Sequence, residues 1–146
     1  MSSTTSITIW VKSPNNQDVY DYLSKLYEFD ICGVNAELEV YEPEWEIIDT
    51  IMVMTSVRGT VEIHDLKNSI ECMFEQFEDV NLEIEIDNLE TGDYGKLSID
   101  KEKSTYHYLD NYIVKDVLDQ FGDYYDNIYE ILDEKLITNG EVIKFE

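Results

Sequence analysis

Residues 80–87 constrain the fold more than any other stretch. Val80, Leu82, Ile84 and Ile86 alternate with Asn81, Glu83, Glu85 and Asp87, the period-two pattern of a strand with one buried side and one wet side. Ser6 to Lys12 repeats it, with Ile7, Ile9 and Val11 set against Thr8, Trp10 and Lys12. Ala36, Leu38 and Val40 against Glu37, Glu39 and Tyr41 predict a further strand that stops before Pro43. The β-rich run from Trp45 to Ile63 predicts two strands, with Gly59 at a bulge or turn. Lys96 to Asp100 reads as a hairpin partner beyond the turn Thr91–Gly95.

Helical spacing appears twice among these strands. Val19, Tyr22, Leu23, Leu26 and Tyr27 follow a cap at Asn15 or Asn16. Leu66, Ile70, Met73, Phe74 and Phe77 form a second stripe, started by Asp65. From Ser104 to Leu136 the pattern turns helical, with Gly122 as a candidate break, and Glu141 to Phe145 reads as a last strand. The expectation is one α+β domain over residues 1–146. An antiparallel sheet carries helices on one face around a ferredoxin-like core, and a helical C-terminal extension covers about residues 104–136.

Charge bounds the partners. Asp and Glu number 33 against 10 Lys and Arg, a formal net charge of −23. A hydrophobic content of 43% with 12% aromatic residues is nevertheless too apolar for a disordered acidic tail. The basic residues are scattered, so a basic-patch nucleic-acid binder is excluded and direct binding to DNA, RNA or anionic lipid is not expected. No apolar run is long enough to span a bilayer, and MSSTTSITIW lacks a basic n-region. The expected location is the cytoplasm, with Cys32 and Cys72 as reduced, buried thiols.

The acids are not arranged as an ordinary solvated face, which mixes signs and uses Glu–Lys pairs. No Lys or Arg lies between Lys25 and Arg58, nor between Lys67 and Lys96, although both stretches are rich in Asp and Glu. Each like-charge helical neighbour costs about 0.2–0.5 kcal/mol. Asp116, Asp119, Asp123, Asp126, Glu130 and Asp133 advance by three or four residues. On one continuous helix they would form a single acidic stripe roughly 25 Å long. Glu83, Glu85 and Asp87, and likewise Glu37 and Glu39, would repeat about every 6.6 Å along a strand face. Phosphates of one DNA strand repeat about every 3.4 Å. Tyr125 and Tyr129 fall between the apolar and acidic sides of the helical pattern, where tyrosine serves interfaces well.

Enzyme chemistry finds little footing. His64 and His107 belong to no metal-binding spacing. Asp87 to Gly92 fails as a calcium loop, because Leu89 and Thr91 stand where oxygen ligands are needed. The turn Gly92–Gly95 is acidic and would repel a phosphate. Neither cysteine sits in a basic context that would activate it. The expectation is a non-enzyme with no cofactor and no metal.

In composition and charge layout the chain resembles the DNA-mimic inhibitor proteins of phages and mobile elements, a loose class that includes anti-restriction and anti-CRISPR proteins. The resemblance implies a protein that blocks the nucleic-acid-binding site of a host defence nuclease, a CRISPR–Cas or restriction enzyme, through a basic groove on that partner. The alternative is an immunity protein or antitoxin that neutralises a cationic toxin. Weaker alternatives are halophilic adaptation and a chaperone for basic proteins. A homodimer through an apolar C-terminal face also stays open.

Overall fold

The computed structural model describes residues 4–41, 50–100, 102–122 and 127–145. The alternating segments form strands: β1 (Thr4–Lys12), β2 (Glu28–Ile31), β3 (Val34–Glu37), β4 (Glu39–Tyr41), β5 (Thr50–Arg58), β6 (Asn81–Asn88), β7 (Asp93–Ile99), β8 (Ser104–Leu109) and β9 (Glu141–Phe145). Between them lie α1 (Asn16–Ser24), α2 (Ile63–Met73), α3 (Asn111–Phe121) and α4 (Ile128–Asn139).

Among the described residues seven strands make one antiparallel sheet in the order β4-β5-β1-β6-β7-β8-β9, and β2 pairs with β3 as a separate hairpin. Without that hairpin, the elements β1-α1-β4-β5-α2-β6 have the order and pairing of a split βαβ, ferredoxin-like core. The α+β class and this core are therefore as expected. The sheet then continues beyond it through β7, β8 and β9.

The alternation decides which side each residue serves. Ile7, Ile9 and Val11 of β1, with Ile84 and Ile86 of β6, face Val19 and Leu23 of α1 and Leu66, Ile70 and Met73 of α2. All are at most 1% exposed. Each such side chain contributes about 1.5–3 kcal/mol by leaving water, and Ile9→Ala would cost about 2–5 kcal/mol. Where β7 crosses β8, Gly95 makes room for Tyr106, whose ring would lie 2.7 Å from any Cβ at that position. A glycine in mid-strand gives up local stability for this close packing.

The core helices α1 and α2 lie on one face, as expected, and the C-terminal helices cover part of the other. Val114 and Val117 of α3 and Leu132 and Leu136 of α4 pack with Tyr94 and Leu109 on the side opposite α1 and α2. The expected helix over 104–136 is corrected. Its first residues, STYHYL, form β8, because β-branched and aromatic residues at alternating phase fit a pleated surface. The candidate break at Gly122 is where it was expected: α3 ends at Phe121 with Gly122 at its C-cap, and α4 begins at Ile128.

Two further corrections concern strands. Ala36 to Val40 is not one strand: β3 ends at Glu37 and β4 starts at Glu39, while the Leu38 N–H donates to the Tyr27 carbonyl. That bond turns the chain from the hairpin into the main sheet. The run up to Ile63 holds one described strand, β5, after which Gly59 takes φ +79° and Glu62 caps α2 by accepting from the Asp65 N–H. The expectation of strand in Trp45 to Asp49 falls outside the described residues.

Candidate functional site: the acidic face of the sheet

On the side away from α1 and α2, α3 and α4 pack over Tyr94 and Leu109, toward the β7–β8 end of the sheet. Cross-strand register then sets the composition of the remaining face. One row runs Glu39, Met54, Thr8, Glu85, Lys96, His107 across β4, β5, β1, β6, β7 and β8. The next runs Tyr41, Met52, Trp10, Glu83, Ser98, Thr105. Ser56, Ser6, Asp87, Tyr94 and Leu109 make a third. Glu39, Glu83, Glu85 and Asp87 therefore share this face, as the alternation predicts for the β6 acids.

Several of these acids are held by neighbours. Glu83 Oε2 accepts from Ser98 Oγ at 2.7 Å. The Tyr94 hydroxyl lies 2.5 Å from Asp133 Oδ1 and 3.2 Å from Glu85 Oε1. Lys96 Nζ lies 3.3 Å from Asp133 Oδ1, although its direct cross-strand neighbour is Glu85. The Asp87 carboxyl is pushed up to about 6, first by partial burial and then by the Glu85 charge. Burial and the adjacent Asp133 and Glu85 carboxylates raise the Tyr94 phenol above its ordinary value. Tyr94 is thus a donor throughout the physiological range.

Beside this face, the β2–β3 hairpin and the β5 edge enclose an open cleft of about 600 Å³. Glu28, Glu37 and Glu39 line it together with Tyr27, Thr8 and Met54. Glu28 and Glu37 are direct cross-strand partners. Like charges opposite each other on a ladder oppose pairing, so the hairpin's own stability does not account for this placement.

The structure sorts the sequence-predicted residues into groups. Glu83, Glu85, Asp87 and Glu39 lie on the sheet face, and Glu37 on the hairpin beside it. Asp133 is on α4 but is drawn to the sheet by Tyr94 and Lys96. Tyr129 stands next to it, its ring 6.3 Å from that of Tyr94. Asp116 and Asp119 are exposed on α3, and Glu130 is exposed on α4. Asp123, Asp126 and Tyr125 fall outside the described residues. Among the described residues the acids of the expected stripe stand on two separate helices, Asp116 and Asp119 on α3 and Glu130 and Asp133 on α4, which pack in the second hydrophobic cluster.

Sequence reasoning missed Trp10, Tyr94, Lys96 and Glu28 as members of this surface. Trp10 carried a signal, since it shares phase with Thr8 and Lys12 on the polar side of β1. Tyr94 carried a weaker one, standing out of phase with Leu97 and Ile99.

The remaining reactive side chains occupy other places. His64 Nδ1 lies 2.8 Å from Glu62 Oε1, with its ring edge-on to Phe145. His107 lies against Gly140. Both cysteines are free, Cys32 half-buried and Cys72 exposed, which corrects the expectation that both are buried. Burial, with Asp65 nearby, pushes the Cys32 thiol up and away from the thiolate. Among the described residues no group of three or more His, Cys, Asp or Glu converges as a metal site. No helix among them is long and apolar enough to cross a membrane.

Comparison with protein-family models, with curated proteins and with solved structures returned no match.

Proposed function

We propose that this protein is an acidic DNA-mimic inhibitor that occupies the nucleic-acid-binding groove of a defence nuclease. The observation that carries the proposal is the register of the sheet. Glu83, Glu85 and Asp87 stand on one side of β6, with Glu39 on the same face and Glu28 and Glu37 on the neighbouring cleft. Strand geometry spaces the β6 acids about 6.6 Å apart, close to every second phosphate of a DNA strand.

A rigid sheet suits this role. The acids are in place before binding, so little ordering entropy is lost on contact with the partner. The net charge of −23 steers the chain toward a cationic groove and away from nucleic acid itself. The groove's Lys and Arg would release phosphate or counterions and pair with carboxylates instead.

The test is capture of partners from host lysate by the tagged protein, with and without excess duplex DNA. Recovery of a nucleic-acid enzyme that duplex DNA displaces is the expected result. A single partner that DNA cannot displace overturns groove mimicry in favour of an immunity-type inhibitor. A spread of unrelated basic proteins overturns specific inhibition altogether.

A further inference from the structure

Carboxylates draw cations to a surface and favour the forked donors of arginine only through geometry. This face also carries an indole. Trp10 sits on β1, inside the sheet, with Met52 as its cross-strand neighbour on one side and Glu83 on the other. The ring is half-buried, on the side of the strand opposite the core residues Ile9 and Val11. A hollow of about 250 Å³ opens beside it, bounded by Trp10, Glu83, Glu85 and Lys96.

We infer that the partner's arginine side chains dock on this face, one guanidinium lying against Trp10 with its N–H edge toward Glu83 and Glu85. The inference rests on the DNA-mimic reading and specifies its chemistry. Three features of the hollow select the occupant. Among the described residues its carboxylates outweigh its one cation, Lys96, which is already held at 3.3 Å by Asp133, so the occupant is cationic. Its aromatic wall rewards a planar, weakly hydrated cation that can stack, which describes guanidinium and not ammonium. Two carboxylates within one hollow match the forked donors of arginine, whereas lysine offers a point charge. Exposed Tyr41 and Met54, at 44% and 40%, extend the apolar part of the same face toward β4. They supply cover for the methylene stems of the incoming side chains.

The experiment uses the whole chain labelled with ¹⁵N and titrated with a nine-residue oligoarginine or a nine-residue oligolysine peptide of equal charge. The indole N–H signal of Trp10 is told from that of Trp45 through Trp45→Phe. Oligoarginine is expected to bind about fivefold more tightly than oligolysine and to shift the Trp10 indole and the β1 and β6 amides. Trp10→Ala should lower the arginine affinity toward the lysine value and leave lysine binding unchanged. Glu83→Gln with Glu85→Gln, which keeps the indole, should weaken both peptides. Equal affinity for the two peptides overturns the inference. So do shifts confined to α3 around Asp116 and Asp119, or concentration-dependent broadening of this face without peptide, which would make a second copy its occupant. Full nuclease inhibition by Trp10→Ala also overturns it while leaving the mimic reading intact. Failure of the wild type to capture any DNA-displaceable enzyme overturns the mimic reading instead.

Discussion

The Tyr94 hydroxyl sits 2.5 Å from the Asp133 carboxylate, binding α4 to the middle of the sheet at the border of its open face. Tyr94 is 1% exposed, so its one polar atom needs a partner, and Asp133 is its nearest. Tyr94→Phe removes that donor and leaves Asp133 and Glu85 facing each other. A hydrogen bond to a charged group contributes about 1.5–3 kcal/mol when buried, and the half-exposed carboxylate of Asp133 reduces this to about 1 kcal/mol. Urea denaturation should show a loss of that size, while Asp133→Asn, which keeps an acceptor, should lose less.

Asp87 titrates against stability. Its carboxyl sits at about 6 in the fold, above its ordinary value of 3.8. Between those values the folded state binds the proton more readily than the unfolded chain, so stability rises as pH falls through 6 and levels off below 4. Asp87→Asn should therefore raise stability at pH 7.5 by about 1 kcal/mol, allowing for solvent screening of a half-buried group. Thermal melts of both proteins should converge by pH 4. A gap that persists at pH 4 would show that the effect is not one of ionisation.

Gly95 and Tyr106 form a coupled pair. A methyl group at position 95 would meet the tyrosine ring at 2.7 Å. Gly95→Ala should cost about 1–3 kcal/mol through overpacking. Tyr106→Leu should absorb part of that cost, so the double variant loses less than the two single ones together. A double-mutant cycle by chemical denaturation measures the coupling.

The acids of the sheet face should outweigh those of α3 in binding. Glu83→Gln, Glu85→Gln and Asp87→Asn together remove charges aligned on one rigid strand. The triple variant should bind the nuclease at least about tenfold more weakly and flatten the dependence of log affinity on log salt. Asp116→Asn with Asp119→Asn should change both far less. Binding isotherms at several salt concentrations separate the two surfaces.

The sheet face was legible because β6 states it twice, in its apolar phase and in its acidic phase, and a strand's period of two admits no other placement. The ferredoxin-like order followed from the sequence of strand and helix patterns up to Asp87. The helical stripe misled, because Asp116 to Glu130 keeps its three-and-four spacing although α3 and α4 are separate helices, with α3 ending at the break offered at Gly122. Residues 104–109 failed for a related reason. In Tyr106, His107 and Tyr108 neither face is plainly apolar, so only their pairing with β7 and β9 reveals a strand. Asp133 looked like one more solvated acid. Its role comes from Tyr94, thirty-nine positions away, and local spacing carries no trace of such a contact.

The most direct test of the account is the steady-state inhibition of the captured nuclease at a series of duplex concentrations. If the carboxylate face occupies the DNA groove, the apparent inhibition constant rises linearly with duplex concentration and the maximal rate is unchanged. An inhibition constant that does not move with duplex concentration would contradict the account, because it would mean that DNA and this protein bind the enzyme at the same time.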